Sequence, residues 1–319
     1  MLAEVVRSGF TESRHRGAVA VAGPDGAIMH QAGAVGVPIF PRSSNKPMQA
    51  TAMLGCGLGL DGELLALAAA SHSGEDFHVA GAREILAGAG LTEDVLQCPP
   101  DWPMDEAAKT QMLRAGQGPD RIHMNCSGKH AAMLATCVVA GWPTSSYRDP
   151  EHPLQAGIRR TIERLAGEQV QVIGVDGCGA PLFGLSLTGL ARAFGALVLA
   201  APGSAERKVA DAMRAHPKWT SGTTRPDRQL VEAVPGLLLK SGADGVEAFA
   251  LADGRCAAFK IDDGDGARRA RTPVSATLLR ALGAGTIPGA DPAVLDTLAR
   301  PPVFGGGRAV GEIRATLPF

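Results

Sequence analysis

Ser43-Ser44-Asn45-Lys46-Pro47-Met48-Gln49-Ala50-Thr51-Ala52-Met53-Leu54 sets a hydroxyl and an amine three positions apart where an apolar stretch begins. Residues at that spacing share one face of a helix, so the two groups can meet without help from distant sequence. Pro47 fixes the register. It is tolerated in the first helical turn, whose amide hydrogens lack intrahelical partners, but not later. Ser43 is therefore expected at or beside the helix start, where the positive end of the dipole favours an alkoxide or oxyanion. Lys46 precedes the proline and is biased away from helical geometry. Spacing alone equally describes an N-cap serine followed by a solvated lysine, so the rest of the chain decides.

At 319 residues, with 45% hydrophobic and 20% charged residues, the chain has the bulk of an ordinary globular protein with ample core. A net charge of -1 excludes nucleic acid and anionic membrane as expected partners and leaves a small-molecule substrate. No run has the length of a membrane-spanning helix, and Met1 to Gly9 carries Glu4 and Arg7, unlike a signal peptide. A cytoplasmic protein is expected. The six cysteines then read as thiols rather than a disulfide framework.

Around the opening stretch the organisation is legible from periodicity. Gly17 to Gly33 alternates about Pro24, Asp25 and Gly26 and predicts a hairpin. From Ser43 to about Leu165 the pattern is helical, with segments starting near Asp61, Glu75, Asp105, Lys129 and His152. Gln169 to Val175 predicts a short strand ending in a rigid loop, Asp176 to Pro181, and helices are expected at Ser204–Ala215 and Asp227–Ala233. Strands follow at Leu237–Ser241, Val246–Ala252 and Cys256–Ile261, then a helix from about Thr272 with Pro273 in its first turn. No internal repeat or linker interrupts this. The expectation is one α+β domain over 1–319: a sheet lobe of about 1–42 and 169–319, antiparallel and built from both ends, with an inserted helical lobe of about 43–168.

Four further segments set polar residues among small ones that let a ligand approach the backbone. Ser71-His72-Ser73-Gly74-Glu75 precedes a helix and could equally be a plain cap with a first-turn acid. Asn125-Cys126-Ser127-Gly128-Lys129-His130 also opens a helix, and the third segment is the loop of Asp176 and Cys178. Two thiols, an amine, an imidazole and a carboxylate could build a zinc site if these loops converge, although two cysteines with a lysine fall outside the usual ligand sets. Finally, Lys240-Ser241-Gly242-Ala243-Asp244-Gly245 closes a strand. Ser-x-x-Lys, then a seryl loop, then Lys-Ser-Gly on a late strand is the order found in serine penicilloyl enzymes and glutaminases.

With these segments assembled, the chain resembles the rhizobial-type L-asparaginases of the asparaginase II family over essentially its whole length. The matching stretches are Glu12 to Gly17, Arg42 to Pro47, Ser71 to Glu75, Asn125 to His130, Asp176 to Pro181, Lys240 to Gly245 and Lys260 to Gly264. The resemblance implies a serine β-lactamase/glutaminase-like fold, hydrolysis of L-asparagine to L-aspartate and ammonia, and a homodimer. It also implies a zinc ion held by Cys126, Lys129 and Cys178, with His130 and Asp176 beside it, and two serine and lysine pairs. Those pairs are Ser43 with Lys46, and Ser73 (preferred to Ser71) with Lys240 (preferred to Lys260). Arg42, with His130 and Asp176, is expected to bind substrate.

The expected chemistry is acyl transfer to Ser43. A lysine serves as base only when neutral, and burial or a neighbouring cation, here Lys240, would lower its pKa from about 10.4. With Tyr147 as the one tyrosine, lysine chemistry is more economical than a tyrosine base. Rival readings are a glutaminase or broader ω-amidase, since one methylene discriminates weakly; a cysteine amidohydrolase using Cys126 with His130; and an amide sensor without turnover.

Overall fold

The computed structural model describes residues 1–319. In chain order the elements are β1 (Ala3–Arg7), β2 (Phe10–His15), β3 (Gly17–Ala22), β4 (Ile28–Ala32), β5 (Pro38–Ile39), α1 (Lys46–Gly55), α2 (Gly62–Ala68), α3 (Asp76–Gly88), α4 (Glu106–Arg114), α5 (Ser127–Val139), α6 (Pro153–Ala166), β6 (Val172–Val175) and β7 (Pro181–Ser186). They continue with α7 (Leu187–Leu199), α8 (Ala205–Ala215), α9 (Pro217–Thr220), α10 (Pro226–Ala233), β8 (Leu238–Ser241), β9 (Val246–Ala250), β10 (Cys256–Ile261), α11 (Arg271–Ala281), α12 (Pro292–Ala299), β11 (Pro302–Gly305) and β12 (Arg308–Ala315). The class is α+β with antiparallel sheets. No helix is long and apolar enough to cross a membrane.

Two compact units emerge. The sheet unit comprises 1–44, 185–199 and 229–319; the helical unit comprises 45–184 and 200–228. In the sheet unit a five-stranded antiparallel sheet runs β4-β3-β10-β9-β8, and a four-stranded one runs β11-β12-β1-β2. β9 and β10 do not alternate, because both faces are covered: α7 packs on β3, β9 and β10, while Val19, Val21, Phe249 and Phe259 share a core with Val274 and Leu278 of α11. The last two residues of β7 pair with β5 (Pro38↔Ser186, Ile39↔Leu185).

In the helical unit α5 is buried along most of its length, from Ser127 through Cys137, and α1, α2 and α3 pack on it. β6 forms a hairpin with the first residues of β7, in register from Val172↔Gly184 to Val175↔Pro181. The sequence reading placed 169–184 and 200–228 in the sheet lobe; they belong to the helical unit. The reason lies in α8, which buries Val209, Ala210 and Met213 and packs on α1 and α2. α7 carried no periodic signal, being apolar on nearly every side, as a fully covered helix is.

Candidate active site

In the sheet unit, half-buried Ser43 lies in a single 3-10 turn, Arg42–Asn45, which leads straight into α1 with Pro47 in its first turn. The turn is clamped from below by the end of β8. The Ser44 hydroxyl donates to the Lys240 carbonyl at 3.1 Å. A Cβ on Gly242 would lie 2.6 Å from the Pro41 carbonyl oxygen and 3.0 Å from Ser44 Oγ, so only glycine permits this approach. Arg42 forms an ion pair with Asp244, and both have left-handed backbones, φ 52° and 54°. Such conformations cost about 1–2 kcal/mol each for L-residues and mark sites held by their surroundings. Buried Lys240 donates to the Ser241 carbonyl at 2.8 Å. Lys260, half-buried, donates to the carbonyls of Asp244 and Ile261.

In the helical unit Lys46 is 1% exposed. Its amine donates to the Ala70 carbonyl, to Ser71 Oγ at 3.0 Å and to Cys126 Sγ at 3.1 Å. None of these partners is a carboxylate. Ser71 is thus the serine that meets a lysine, whereas the preferred Ser73 is committed elsewhere: its hydroxyl donates to the Ser221 carbonyl at 2.7 Å. His72 lies between them. Its Nδ1 accepts from the Gly74 amide, so the proton is on Nε2, 2.9 Å from Ser127 Oγ. Burial first, then the neighbouring His78 and Lys46, hold His72 well below the ordinary histidine range.

Cys126, Lys129, His130 and Cys178 meet around the start of α5. The hydrogen bond between the two sulfurs, reinforced by burial, holds the Cys126 thiol well above its ordinary pKa and leaves the shared proton there. Cys178 is held far below, through that same bond and, against burial, the Lys129 ammonium, whose Nζ is 3.0 Å from its sulfur. Burial opposes the Lys129 charge, but Cys178, Cys126 and Asp176 outweigh it and raise its pKa. The Asp176 carboxylate lies 3.6 Å from Cys178 Sγ. Tyr147, buried, accepts from the Gln97 amide at 3.3 Å and lies 2.6 Å from His130 Nδ1. His130 Nε2 has no hydrogen-bond partner, and the ring lies beside the Cys178 sulfur. Burial, then Lys129, lowers the His130 pKa to about 4.

No group of three or more His, Cys, Asp or Glu side chains is arranged to hold a metal ion. Two sulfurs and an amine do converge, and that donor set suits a soft divalent cation such as zinc once the amine yields its proton. The orphaned His130 Nε2 faces the same sulfur. The thiol and imidazole alternative fares worse, since Cys126 keeps its proton and His130 Nδ1 is occupied by Tyr147.

Sequence reasoning missed Tyr147 as the partner of His130, although its being the sole tyrosine was a signal. It also missed Asp244, which sits inside the Lys240 to Gly245 segment it singled out. Nothing in the sequence pointed to Ser221.

Several solved structures are similar to the chain. Mglu in its native form is 15% identical over 88% of this chain and 68% of its own, with a TM-score of 0.46. A β-lactamase from Mycobacterium bovis is 12% identical over 83% of this chain and 94% of its own, TM-score 0.46. EstCE1, a hydrolase with promiscuous acyltransferase activity, is 11% identical over 90% and 94%, TM-score 0.42. No curated protein matches the chain. The L-asparaginase II family model matches residues 3–315, nearly the full length, and the chain belongs to that family of amidohydrolases.

Proposed function

We propose that the chain hydrolyses L-asparagine to L-aspartate and ammonia through a seryl ester. Ser43 Oγ attacks the side-chain amide carbon and its proton passes to the amine of Lys46, three residues on in the chain. The tetrahedral oxyanion is met by backbone amides at the start of α1. Collapse breaks the carbon–nitrogen bond. The proton held by Lys46 reaches the leaving nitrogen through Ser71, and ammonia departs. Water then adds to the ester under the same base, releasing aspartate and restoring Ser43. The observation that carries this reading is the setting of Lys46, a fully buried amine whose side-chain partners are a hydroxyl and a thiol.

Lys240 supplies the second lysine of the site, and Ser73 anchors the loop that presents Ser71. Arg42 takes the substrate carboxylate, and His130 and Asp176 line the thiol cluster. Cys126, Cys178 and the deprotonated amine of Lys129 would hold zinc, which supplies a Lewis-acidic centre for substrate oxygen or nitrogen when bound. All six cysteines are free, which fits a reducing compartment, and we assign the chain to the cytoplasm as a homodimer.

Ammonia release from L-asparagine and L-glutamine, with and without chelator, tests the reaction. Ser43→Ala is expected to abolish turnover while zinc content is retained, and mass spectrometry of quenched wild type should find an aspartyl adduct on the Ser43 peptide. Full activity in that variant sinks the seryl ester. Cys126→Ala is expected to lose zinc by elemental analysis; unchanged metal content refutes that ligand.

A further inference from the structure

We propose that Asp244 is a specificity residue that pairs with Arg42 to read an α-amino acid as a zwitterion, carboxylate on Arg42 and ammonium on Asp244. The inference rests on Ser43 as the reacting group and names the substrate class that the neighbouring pair admits.

Three observations converge on it. First, the two side chains form a direct ion pair. A cation and an anion held side by side are the complement of a carboxylate and an ammonium held on one carbon, and a guanidinium fork accepts a carboxylate with two parallel hydrogen bonds. Second, the pair is accessible where a ligand needs it. The Asp244 side chain is 61% exposed and that of Arg42 24%, and Arg42 immediately precedes Ser43.

Third, both residues are held in left-handed conformations, φ 52° and 54°, by a loop with little freedom. Lys260 Nζ donates to the Asp244 carbonyl and, at 2.9 Å, to that of Ile261. Gly242 abuts the Pro41 carbonyl as described, and Gly245, at φ 72°, comes so close that an added Cβ would lie 2.8 Å from Ile261 Cβ. The Gly242 amide donates to the Val246 carbonyl at 2.8 Å, and the Gly242 carbonyl accepts from Arg271 at 2.9 Å. Asp244 and Gly245, both left-handed, form the Asp-Gly turn that joins β8 to β9, so the hairpin itself fixes where the carboxylate stands. Arg42 is not in such a turn, and a surface ion pair worth at most about 1 kcal/mol does not account for its left-handed backbone; presenting its guanidinium at a fixed separation from Asp244, beside the nucleophile, does.

The test separates recognition from chemistry. Calorimetry of wild type with L-aspartate and with succinate, which lacks only the ammonium, reads the pair directly. L-Aspartate should bind the more tightly. Asp244→Asn should reduce that preference about tenfold to a hundredfold, the value of a hydrogen bond to a charged group, and Asp244→Glu should restore part of it. In turnover, the ratio of kcat/KM for L-asparagine over succinamate should fall by the same factor. If Asp244→Asn weakens both ligands equally, or neither, or if wild type does not distinguish them, the proposal is overturned. If the ligands are distinguished but no amide releases ammonia, the hydrolytic reading fails and the zwitterion site stands.

Discussion

In the helical unit the amine of Lys46 is shared by the Ala70 carbonyl, the Ser71 hydroxyl and the Cys126 thiol, whereas in the sheet unit the equally buried Lys240 donates to the carbonyl beside it on its own strand. A hydroxyl and a thiol can take up or give a proton, and their contact with the Lys46 amine, rather than burial alone, is what marks Lys46 as the candidate base. The same division runs through each unit. Cys126, Cys178, Lys129, His72, His78 and His130 lie buried in the helical unit, while a buried carboxylate of the sheet unit, Glu247, is met by Arg271 at 3.0 Å.

The sharpest way to break this contrast is to remove each amine. Lys46→Ala is expected to lower kcat about a thousandfold, within the usual worth of a positioned base, and Lys240→Ala only about tenfold, through the placing of the β8 end beneath Ser43. Ammonia release measures both, with circular dichroism confirming the fold. Equal losses, or a larger one for Lys240, would move the base to the sheet unit.

How far the contrast could be read from sequence depends on whether a feature is local. The five-stranded sheet was legible at β3, β4, β8, β9 and β10, because short apolar runs bounded by turn residues mark them. The four-stranded sheet was not. β2 is polar and half-exposed, β12 buries little, and their register (Glu4↔Arg14, Glu4↔Arg314) joins opposite ends of the chain. At the site, Lys46 and the Cys126, Lys129 and Cys178 set were legible as short motifs. Which serine of Ser71 and Ser73 faces Lys46 was not, because it is decided by Ser221, far along the chain. Composition singled out Tyr147 as the sole tyrosine, but its meeting with His130 is a tertiary contact that no local pattern carries.

A second contrast is in pH dependence. His78 accepts from the Glu75 amide at Nδ1 and donates from Nε2 to the Lys218 carbonyl at 3.0 Å, so it is held neutral; burial lowers its pKa from 6.5 to about 4. His72, stacked on it at 5.1 Å, is lowered too. Between these values the unfolded chain binds protons that the folded one refuses. Stability is thus fully present above pH 6.5 and falls as the pH drops toward 4, by about 3 kcal/mol for His78 on the scale of 1.36 kcal/mol per pKa unit. Urea midpoints from pH 7 to 4.5 should show this fall, and His78→Gln should flatten it. Hydrogen exchange should lose protection in α2, α3 and α5 before β9 and β10. A slope unchanged in His78→Gln would place the acid sensitivity elsewhere.

The smallest expected effect separates two serines two residues apart. Ser73 Oγ donates to the Ser221 carbonyl, and Gly222 packs so closely that a Cβ there would fall 2.2 Å from Ser73 Oγ. Truncating Ser73 leaves a carbonyl without its donor in a place too tight for water to enter freely, so Ser73→Ala should cost about 1–2 kcal/mol of stability and leave kcat within about twofold once the folded fraction is corrected for. Ser71 is half-buried and its hydroxyl accepts from the Lys46 amine, which keeps the Ala70 carbonyl and the Cys126 thiol when Ser71 is truncated. Ser71→Ala should therefore melt within about 1 kcal/mol of wild type and lower kcat about tenfold, with the loss growing as the pH rises, where solvent acid can no longer protonate the leaving nitrogen in place of the missing relay. Thermal melts and kcat against pH on the two variants decide it. A kcat loss confined to Ser73→Ala would return the relay to Ser73 and make the Ser71 contact with Lys46 purely structural.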